Sequence, residues 1–345
     1  MELLRPPENV DDERSAFVKL EPSGFFIRHP PEPHILRDYI TPDDQLFQTI
    51  HMGAAVVDQE KWLLVIDGLV QHPFALTFDM LRMLPSRTVT SFHECYGSPL
   101  KPATTALWRV GNVQWTGVPL RVILEIAIPM PTASFVWSDG LDRGEFAGVK
   151  ADRYRKDLPI AKAMSDEVLL AYEINGKPLS KERGGPVRLV VPGWFGTNST
   201  KWISKISLQD HRATGPYTTR FYNEPDPAGS EGTLRPVWTV EPNSMIVAPQ
   251  PGEKIDGPRV TVEGWAWYHE PVERVQLSVD EGKSWKEAVV GERVGFSWQK
   301  FSVALHLDPG HYSIVARAVS GDGAMQPLSG RRNHCHTVFF EVGRC

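Results

Sequence analysis

Hydrophobic and polar positions follow different patterns in successive parts of the chain. Residues 1–58 carry proline and acidic residues at irregular intervals with no sustained period, which predicts irregular structure. Apolar runs bounded by turn residues then predict strands over 61–70, 168–174 and 187–191. The second of these runs ends at Asn175-Gly176, a pair that favours a tight turn.

Two short helices are predicted between these strands. Thr77 is a suitable N-cap for a helix that ends at Leu84, because Asp79 lies in the first turn and Pro85 follows the end. A second helix is predicted over 119–126, where proline occupies the first turn. The 29 prolines of the chain exclude long helices and favour a loop-rich, largely β architecture.

The C-terminal part of the chain shows a second, more uniform pattern. Residues 223–230 have the composition of a linker. Beyond them, short alternating runs recur between turn residues, over 260–267, 272–279, 298–307, 312–319 and 337–342. This spacing is typical of an antiparallel β-sandwich. The sequence therefore predicts an α+β, predominantly β protein with two domains, 1–230 and 236–345.

Composition and charge narrow the class of protein. Hydrophobic residues make up 41% of the 345 positions and charged residues 23%, as is ordinary for a globular protein. The net charge of −5 gives no electrostatic reason to bind nucleic acid or an anionic membrane. No apolar stretch approaches the roughly 18 residues of a membrane span. Residues 1–7 lack the pattern of a secretory signal, so the chain as given is predicted to be cytoplasmic. Its three cysteines cannot form a disulfide framework.

Cys95 has the most distinctive setting of any residue. It follows a β-prone run over 87–90 and precedes Gly97 and Pro99, so its thiol lies on a turn at the exit of a strand. A thiolate so placed can attack a substrate or coordinate a soft metal. Two other interpretations stay open here. One is a small buried hydrophobe; the other is a nucleophile with His93 as its base, because residues i and i+2 of a strand point the same way.

Several segments of the first 230 residues have a recognisable order and spacing. They are 62–70, 115–120, 158–163, 169–179, 185–193 and 201–203, with sequences such as Leu169-Leu170-Ala171-Tyr172-Glu173-Ile174-Asn175-Gly176. Together they resemble the sulfite oxidase family of molybdenum enzymes, which includes the molybdenum domain of assimilatory nitrate reductases. Segments 275–285 and 322–327 resemble the family's immunoglobulin-like dimerisation domain, and the match runs from about residue 42 to about residue 342.

The resemblance implies a molybdopterin cofactor and a metal ligand. Cys95 corresponds to the protein thiolate on molybdenum, which shares the metal with the dithiolene sulfurs of molybdopterin and with oxo groups. Arg188 and Lys201 match the family's cofactor-contacting arginine and pterin-contacting lysine, and Arg183 replaces the usual histidine by another donor suited to phosphate. Asp139 falls where the family has an acidic pterin partner. From the residues alone, the alternative is that the two basic residues are solvated charges and the aspartate a turn residue.

Four further positions are implied by the same resemblance. Gly196 would let backbone N–H groups approach the cofactor closely, and Ser199 lies in the segment that carries the pterin-contacting lysine. His51 corresponds to a histidine that contacts the cofactor. Tyr222 corresponds to the active-site tyrosine, whose phenol donates to the oxygen being transferred and relays protons. Without the resemblance, His51 is a structural histidine and Tyr222 a tyrosine on the rim of a pocket.

The chain departs from the family at the positions that bind the substrate anion. Three arginines expected in sulfite oxidases appear here as Thr49, Leu100 and Gln299. A guanidinium binds an oxyanion through two parallel hydrogen bonds, which these side chains cannot form. Lys101 and Lys300 are sequence neighbours that could compensate only in part. We therefore expect a substrate other than sulfite, or sulfite bound much more weakly.

The resemblance as a whole implies an oxidoreductase that transfers an oxygen atom at a Mo=O centre, with sulfite as the default substrate of the family. It also implies a homodimer formed through the second domain. Because the sequence shows no haem domain, electrons are expected to leave to a separate acceptor, a cytochrome or oxygen. Two alternatives stay open: a molybdenum-dependent reductase of nitrate or an oxide, and a cofactor-binding protein without turnover.

Overall fold

Strands dominate the computed structural model of the chain, which describes residues 3–6, 18–98, 108–226 and 228–344. Strands take up 45% of residues and helices 9%, which confirms the predominantly β prediction. The strands are β1 Leu20–Ser23, β2 Phe26–Arg28, β3 Gln48–Ile50, β4 Gly53–Ala55, β5 Leu63–Gly68, β6 Phe74–Thr77, β7 Arg87–Glu94, β8 Val110–Pro119, β9 Phe135–Gly140, β10 Gly144–Phe146, β11 Val149–Ala151, β12 Arg155–Pro159, β13 Leu169–Ile174, β14 Lys177–Pro178, β15 Arg188–Val190, β16 Ile203–Gln209, β17 Asn223–Pro225, β18 Leu234–Pro236, β19 Asn243–Ala248, β20 Lys254–Asp256, β21 Arg259–Trp267, β22 Val272–Ser278, β23 Lys286–Glu287, β24 Val289–Val290, β25 Gln299–His306, β26 Gly310–Ser320 and β27 Thr337–Gly343.

Helices are short and few. The α-helices of the described residues are α1 Phe78–Arg82, α2 Leu120–Ala127, α3 Ile160–Ala163 and α4 Pro216–Thr219, and 3-10 turns span Pro33–Ile35, Gln59–Lys61 and Gly196–Asn198. Within these same residues, no helix has the length and apolar character needed to cross a membrane.

Contacts group the chain into two compact units that are not consecutive in sequence. Unit 1 comprises residues 1–28, 48–89 and 114–238. Unit 2 comprises residues 29–47, 90–113 and 239–345. Strands β7 and β8 each contribute residues to both units, because the divisions fall inside them. The domain limits predicted from the sequence, 1–230 and 236–345, stay a prediction.

Strands of unit 1 take part in two five-stranded sheets. One has the order β12-β9-β16-β5-β6, and the other has the order β14-β13-β8-β7 with β15 also paired to β13. In the first sheet β5 and β16 run parallel, with Val65 opposite Lys205, and the remaining pairs are antiparallel. Helix α2 places an apolar face in the core of this unit because its buried residues recur at helical spacing: Leu120, Ile123, Leu124 and Ala127.

Both predicted helices are confirmed, each shifted by one or two residues. The Thr77 hydroxyl accepts a hydrogen bond from the backbone N–H of Met80 at 3.3 Å, which caps α1, and this helix ends at Arg82 rather than Leu84. Helix α2 has Pro119 at its N-cap. The strands predicted over 61–70, 168–174 and 187–191 are present as β5, β13 and β15.

Two segments that were expected to be irregular contain strands. Within residues 1–58, β1 pairs with β4 and β2 pairs with β3 in antiparallel two-stranded sheets. The expected linker at 223–230 instead begins with β17, which pairs with β18. These strands have only three or four residues, which is too short for an alternating pattern to be recognised. Their partners, not their own sequence, define them.

Unit 2 contains two sheets, with the orders β19-β21-β25-β24 and β20-β27-β26-β22-β23. Inward residues of both sheets form one hydrophobic core: Val260 and Val262 of β21, Phe301 of β25, Val275 of β22, Ile314 of β26 and Phe340 of β27. The five runs predicted to be strands correspond to β21, β22, β25, β26 and β27. Two sheets around a shared core confirm the predicted β-sandwich.

This core makes a stability prediction with a matched control. Phe301 is fully buried in β25, whereas Phe339 of β27 is 64% exposed. We expect Phe301→Ala to lower the free energy of unfolding of unit 2 by about 3–5 kcal/mol, because it removes the ring and leaves a cavity. Phe339→Ala should change it by less than about 0.5 kcal/mol. Urea denaturation followed by tryptophan fluorescence measures both, and equal effects of the two substitutions would contradict the assigned core.

Candidate functional site

Cys95 lies immediately after β7, in unit 2. Its backbone N–H donates to the carbonyl of Arg109 at 2.9 Å, and its own carbonyl accepts from the N–H of Ser98 at 3.0 Å. The side chain of Arg109 donates to the carbonyl of Gly97 at 2.7 Å, which holds the following turn. The thiol is half-buried. The structure therefore places Cys95 on the turn that the sequence predicted, with its backbone fixed on both sides.

Glu94, the residue before Cys95, is a buried anchor that the sequence analysis did not identify. Its carboxylate is fully buried and accepts from Trp267 Nε1 at 2.8 Å and from Asn243 Nδ2 at 3.3 Å, while Arg332 lies 3.6 Å away. Burial raises the pKa of Glu94 to about 7, and the charge of Arg332 opposes that rise. These contacts tie the end of β7 to β19 and β21 within unit 2. The only sign of this buried role in the sequence was a glutamate inside an otherwise β-prone run.

His93 was the local base proposed for a nucleophilic cysteine. In the structure its ring stacks on that of Phe47, with centroids 5.6 Å apart and planes 11° apart. That alternative stays a prediction.

Arg188 is the most deeply buried cation among the predicted cofactor residues of unit 1. It is 2% exposed, which excludes the interpretation of a solvated charge at a strand end. Its guanidinium donates to the carbonyls of Arg183 at 3.0 Å and Ser199 at 2.9 Å, and lies 5.0 Å from the ring centre of Trp115. Burial lowers the pKa of Arg188 to about 9, and the positive charge of Arg183 contributes. Arg188 therefore remains a cation at neutral pH.

Arg183 and Ser199 lie beside this guanidinium, and both are buried. The Ser199 hydroxyl accepts from the backbone N–H of Val191 at 3.1 Å. Gly196 begins the 3-10 turn that leads to Ser199. The structure thus brings together four of the residues that the resemblance assigned to the cofactor.

Lys201 lies in the same unit and is half-buried. Its Nζ donates to the carbonyls of Thr49 at 3.1 Å and Glu182 at 3.0 Å. The backbone at Gly184 lies against the Lys201 side chain and has φ +93°. A Cβ at that position would lie 2.7 Å from the Lys201 side chain. Only glycine accepts both that backbone conformation and that contact.

Asp139 and Asp142 have opposite surroundings although they are three residues apart. Asp139 accepts two hydrogen bonds from Arg155, both at 2.6 Å, and Arg153 lies 3.4 Å away. Its carboxylate is therefore engaged within the protein. Asp142 is equally buried, but its Oδ1 accepts no hydrogen bond from any described residue. Burial raises the pKa of Asp142 to about 7, and the positive charge of Lys201 opposes that rise.

His51 and Tyr222 form a direct contact in unit 1. His51 Nε2 lies 2.5 Å from the Tyr222 hydroxyl, within hydrogen-bonding distance. The imidazole is surrounded by aromatic rings, with Phe146 at 4.7 Å, Tyr217 at 5.4 Å and Tyr154 at 5.5 Å between ring centres.

Tyr222 also has an unusual backbone. Its φ of 59° is in the left-handed region, which is uncommon for a residue with a Cβ and marks local strain. Its carbonyl accepts from the N–H of Val237 at 2.9 Å, which helps to hold this conformation. The structure thus brings together two residues, His51 and Tyr222, that are 171 positions apart in the sequence.

The three positions predicted to bind the substrate differ in their surroundings. Thr49 lies in β3, half-buried, with its carbonyl bonded to Lys201. Leu100 lies outside the described residues. Gln299 is buried in unit 2, where its amide bonds to the backbone of Val272 at 2.8 and 3.0 Å and of Gly291 at 3.0 Å. The amide of Gln299 is therefore occupied in holding two chain segments together.

Comparison with known proteins places this geometry in a class. Residues 51–217 match the family described as the oxidoreductase molybdopterin binding domain, and residues 235–342 match the Mo-co oxidoreductase dimerisation domain. The chain is therefore a molybdenum-cofactor oxidoreductase domain followed by its dimerisation domain. It belongs to the sulfite oxidase family.

Individual proteins of this family are similar over almost the whole chain. Mitochondrial sulfite oxidase of Rattus norvegicus is 28% identical over 93% of this chain and 63% of its own length. Sulfite oxidase of Arabidopsis thaliana is 27% identical over 94% of this chain and 92% of its own. The crystal structure of the sulfane dehydrogenase SoxCD from Paracoccus pantotrophus has a TM-score of 0.80 and 26% identity, covering 97% of this chain and 93% of that one. The chain spans less than two thirds of the rat protein.

The residues of unit 1 fit the cofactor of this family. Molybdopterin carries a phosphate, and a buried Arg188 whose described partners are carbonyl oxygens lacks only an anion. The pterin carries amine and amide donors, which Asp142 Oδ1 can accept. Asp142 is thus a candidate that the sequence analysis missed, although it lies in the segment that includes Asp139. The signal that separates them is the presence of Arg153 and Arg155 opposite Asp139.

The contrast between the two aspartates can be tested in protein without cofactor. Because the pKa of Asp142 is raised on folding, Asp142 does not destabilise the folded protein below about pH 4, which is the pKa of aspartate in the unfolded chain. As the pH rises from there to about 7, Asp142 destabilises the folded protein increasingly. Asp142→Asn should therefore raise the melting temperature more at about pH 8 than at about pH 5. Asp139→Asn should lower it at both, because two arginines lose their buried partner. Thermal unfolding at the two pH values measures this, and an Asp142→Asn effect that does not depend on pH would contradict it.

Proposed function

We propose that this protein is a molybdenum-cofactor-dependent oxidoreductase that transfers an oxygen atom to or from a sulfur-centred substrate. The observation that carries the proposal is the buried Arg188, a cation whose described polar partners are all carbonyl oxygens, next to Arg183 and Ser199. A buried charge of this kind is stable only with a counter-charge. The phosphate of molybdopterin is the anion that the family supplies.

Four side chains of unit 1 have roles in holding the cofactor. Arg183 and Arg188 would hold the phosphate through charged hydrogen bonds. Lys201, fixed by two carbonyls, would contact the pterin, and Asp142 rather than Asp139 would accept from the amine or amide donors of the pterin. When bound, the cofactor supplies the two-electron redox chemistry, and the protein supplies orientation and electrostatics.

Tyr222 and His51 handle a proton. The Tyr222 hydroxyl holds a proton at Oη and donates it to an oxygen of the substrate, and His51 Nε2, 2.5 Å away, then supplies a replacement proton to the phenolate. The pair is half-buried, and aromatic rings lie around the imidazole.

Cys95 is proposed as the protein ligand of molybdenum, since a thiolate suits a metal that already carries sulfur ligands. Cys95→Ser in cofactor-loaded protein should remove one sulfur scatterer from the X-ray absorption spectrum at the molybdenum edge. The control is Cys335→Ser, because Cys335 is buried in unit 2 and burial raises its pKa to about 12. That variant should leave the spectrum unchanged. An unchanged spectrum for Cys95→Ser would remove the basis of the metal assignment.

The substrate site is predicted to bind sulfite weakly. Each charged hydrogen bond to an oxyanion contributes roughly 1.5–3 kcal/mol, and Thr49 stands where the family has an arginine. The Michaelis constant for sulfite should therefore lie well above the micromolar range. Thr49→Arg should lower it by about tenfold or more, whereas Thr88→Arg, at an exposed position of β7, should not.

Steady-state kinetics on molybdenum-loaded protein decide between the candidates. A micromolar Michaelis constant for sulfite in the unaltered protein would contradict the predicted weak binding. Turnover only in a viologen-linked assay with nitrate or an oxide would favour the reductive direction. Bound cofactor without turnover of any of these compounds would favour a binding protein.

A second candidate substrate is sulfane sulfur, meaning sulfur bonded to another sulfur atom. The observation in its favour is the similarity over nearly the full length to a protein named as a sulfane dehydrogenase. A persulfide carries less charge on its terminal sulfur than sulfite carries on its oxygens. It would therefore depend less on the arginine that Thr49 replaces.

Partners are proposed from the family. The dimerisation domain supports a homodimer. Electrons are proposed to leave to a separate acceptor, a cytochrome or oxygen.

A further inference from the structure

Lys156 is a buried lysine of unit 1 that has no place in the roles assigned above. It lies in β12 and is fully buried. Its Nζ donates to the carbonyl of Tyr217 at 3.0 Å and lies 5.5 Å from the centre of the Tyr222 ring. A lysine is rarely buried completely without a partner of opposite charge.

No carboxylate of the described residues lies within ion-pair distance of Lys156 Nζ. The nearest candidate along the chain is Asp157, but its carboxylate accepts from Arg212 at 2.9 and 3.0 Å and from the N–H of Ala213 at 2.9 Å. The charge of Asp157 is therefore largely compensated by Arg212. Lys156 uses one of its three donors on a carbonyl, and a π-face is the other electron-rich group near it.

The same amine contacts Tyr222 directly and is linked to His51 through Tyr217. The carbonyl that it binds belongs to Tyr217, whose ring stacks on Tyr222 at 6.4 Å and meets His51 edge-on at 5.4 Å. Tyr222 has a strained backbone that its surroundings must hold. Lys156 is thus connected to the proton-handling pair through a hydrogen bond on one side and a cation–π contact on the other.

We propose that Lys156 is a positioning residue for the reaction, which holds Tyr222 against His51 and makes its phenol a stronger proton donor. The physical basis is that a nearby cation stabilises the phenolate relative to the phenol. The same cation also disfavours protonation of the imidazole that contacts Tyr222. This inference rests on the proposed roles of Tyr222 and His51.

The ionisation of Lys156 makes this device sensitive to pH. Burial lowers the pKa of Lys156 to about 7, Asp157 opposes this shift and Arg212 adds to it. The titratable and charged groups around it are Asp157 and Arg212, together with the phenols of Tyr217 and Tyr222. Below about pH 7 the amine is a cation and acts on Tyr222, and above that value it is neutral and the effect is lost.

The first experiment measures the coupling without turnover. His51 is followed by NMR in histidine-labelled, cofactor-loaded protein, with its signal assigned from His51→Asn. In Lys156→Met the titration midpoint of His51 should rise by about one pH unit, because a neighbouring positive charge is removed. Lys162→Met is the control, since Lys162 pairs with Glu167 at 2.6 Å, and should leave the midpoint unchanged. Equal midpoints in Lys156→Met and unaltered protein would overturn the proposal.

The second experiment measures the rate with sulfite or a persulfide as a function of pH. Unaltered protein should lose about three- to tenfold in kcat as the pH rises through about 7. Lys156→Met should be slow throughout, and Lys156→Arg, which stays charged, should be fast throughout. A merely structural role would lower both variants without removing the step near pH 7, and that result would also overturn the proposal.

Failure of the proposed function is distinguishable from failure of this inference. If neither the variants nor the unaltered protein turn over a sulfur substrate, the proposed sulfur-centred substrate is wrong, and the NMR midpoint alone decides whether Lys156 acts on His51. If Lys156→Met does not fold, Lys156→Arg alone tests the proposal, because its kcat should no longer fall as the pH rises through about 7. Molybdenum and pterin content, measured in each variant, confirm that the cofactor is retained.

Discussion

Buried positive charge without a carboxylate partner is the constraint on which the site in unit 1 depends. Arg188 and Lys156 are both almost fully removed from solvent, and among the described residues each is bonded to backbone carbonyls rather than to an acid. Removing a charge from water costs several kcal/mol unless something compensates it. For Arg188 the compensation we propose is a phosphate. For Lys156 it is the partial loss of its own charge and a tyrosine ring.

The same reasoning explains why two aspartates of one segment differ. Asp139 faces two arginines and is a structural ion pair that holds β9 to β12. Among the described residues no arginine donates to Asp142 Oδ1, and we propose that this oxygen accepts from a ligand. Asp139 and Asp142 are the same residue type in the same segment, so the groups that surround each carboxylate decide its role. In unit 2, Glu94 shows the corresponding case of an acid whose partners, Trp267 and Asn243, fix the strand end that carries Cys95.

The proposed weak binding of sulfite follows from the charge around the proposed substrate site. The described surroundings of His51 are aromatic, and Thr49 offers a hydroxyl where an arginine would offer two charged donors. Under the proposed function, such a site would favour a doubly charged anion less than a site with that arginine. The amide of Gln299 is used by the backbone of unit 2, so its replacement of an arginine has a structural as well as a chemical consequence.

The sequence by itself determined the β-rich class, the sandwich of unit 2, the capped helix at Thr77 and the family, because these depend on local periodicity, turn residues and motif order. It also pointed to Cys95, His51, Arg188, Lys201 and Tyr222. It could not separate Asp139 from Asp142, detect Lys156, or find the short strands within 1–58 and at 223–225. Those features are set by residues distant in sequence: an arginine across a strand pair, a carbonyl on another element, a partner strand. Burial and partnership arise only when the chain is folded, and they decide the ionisation on which chemistry depends.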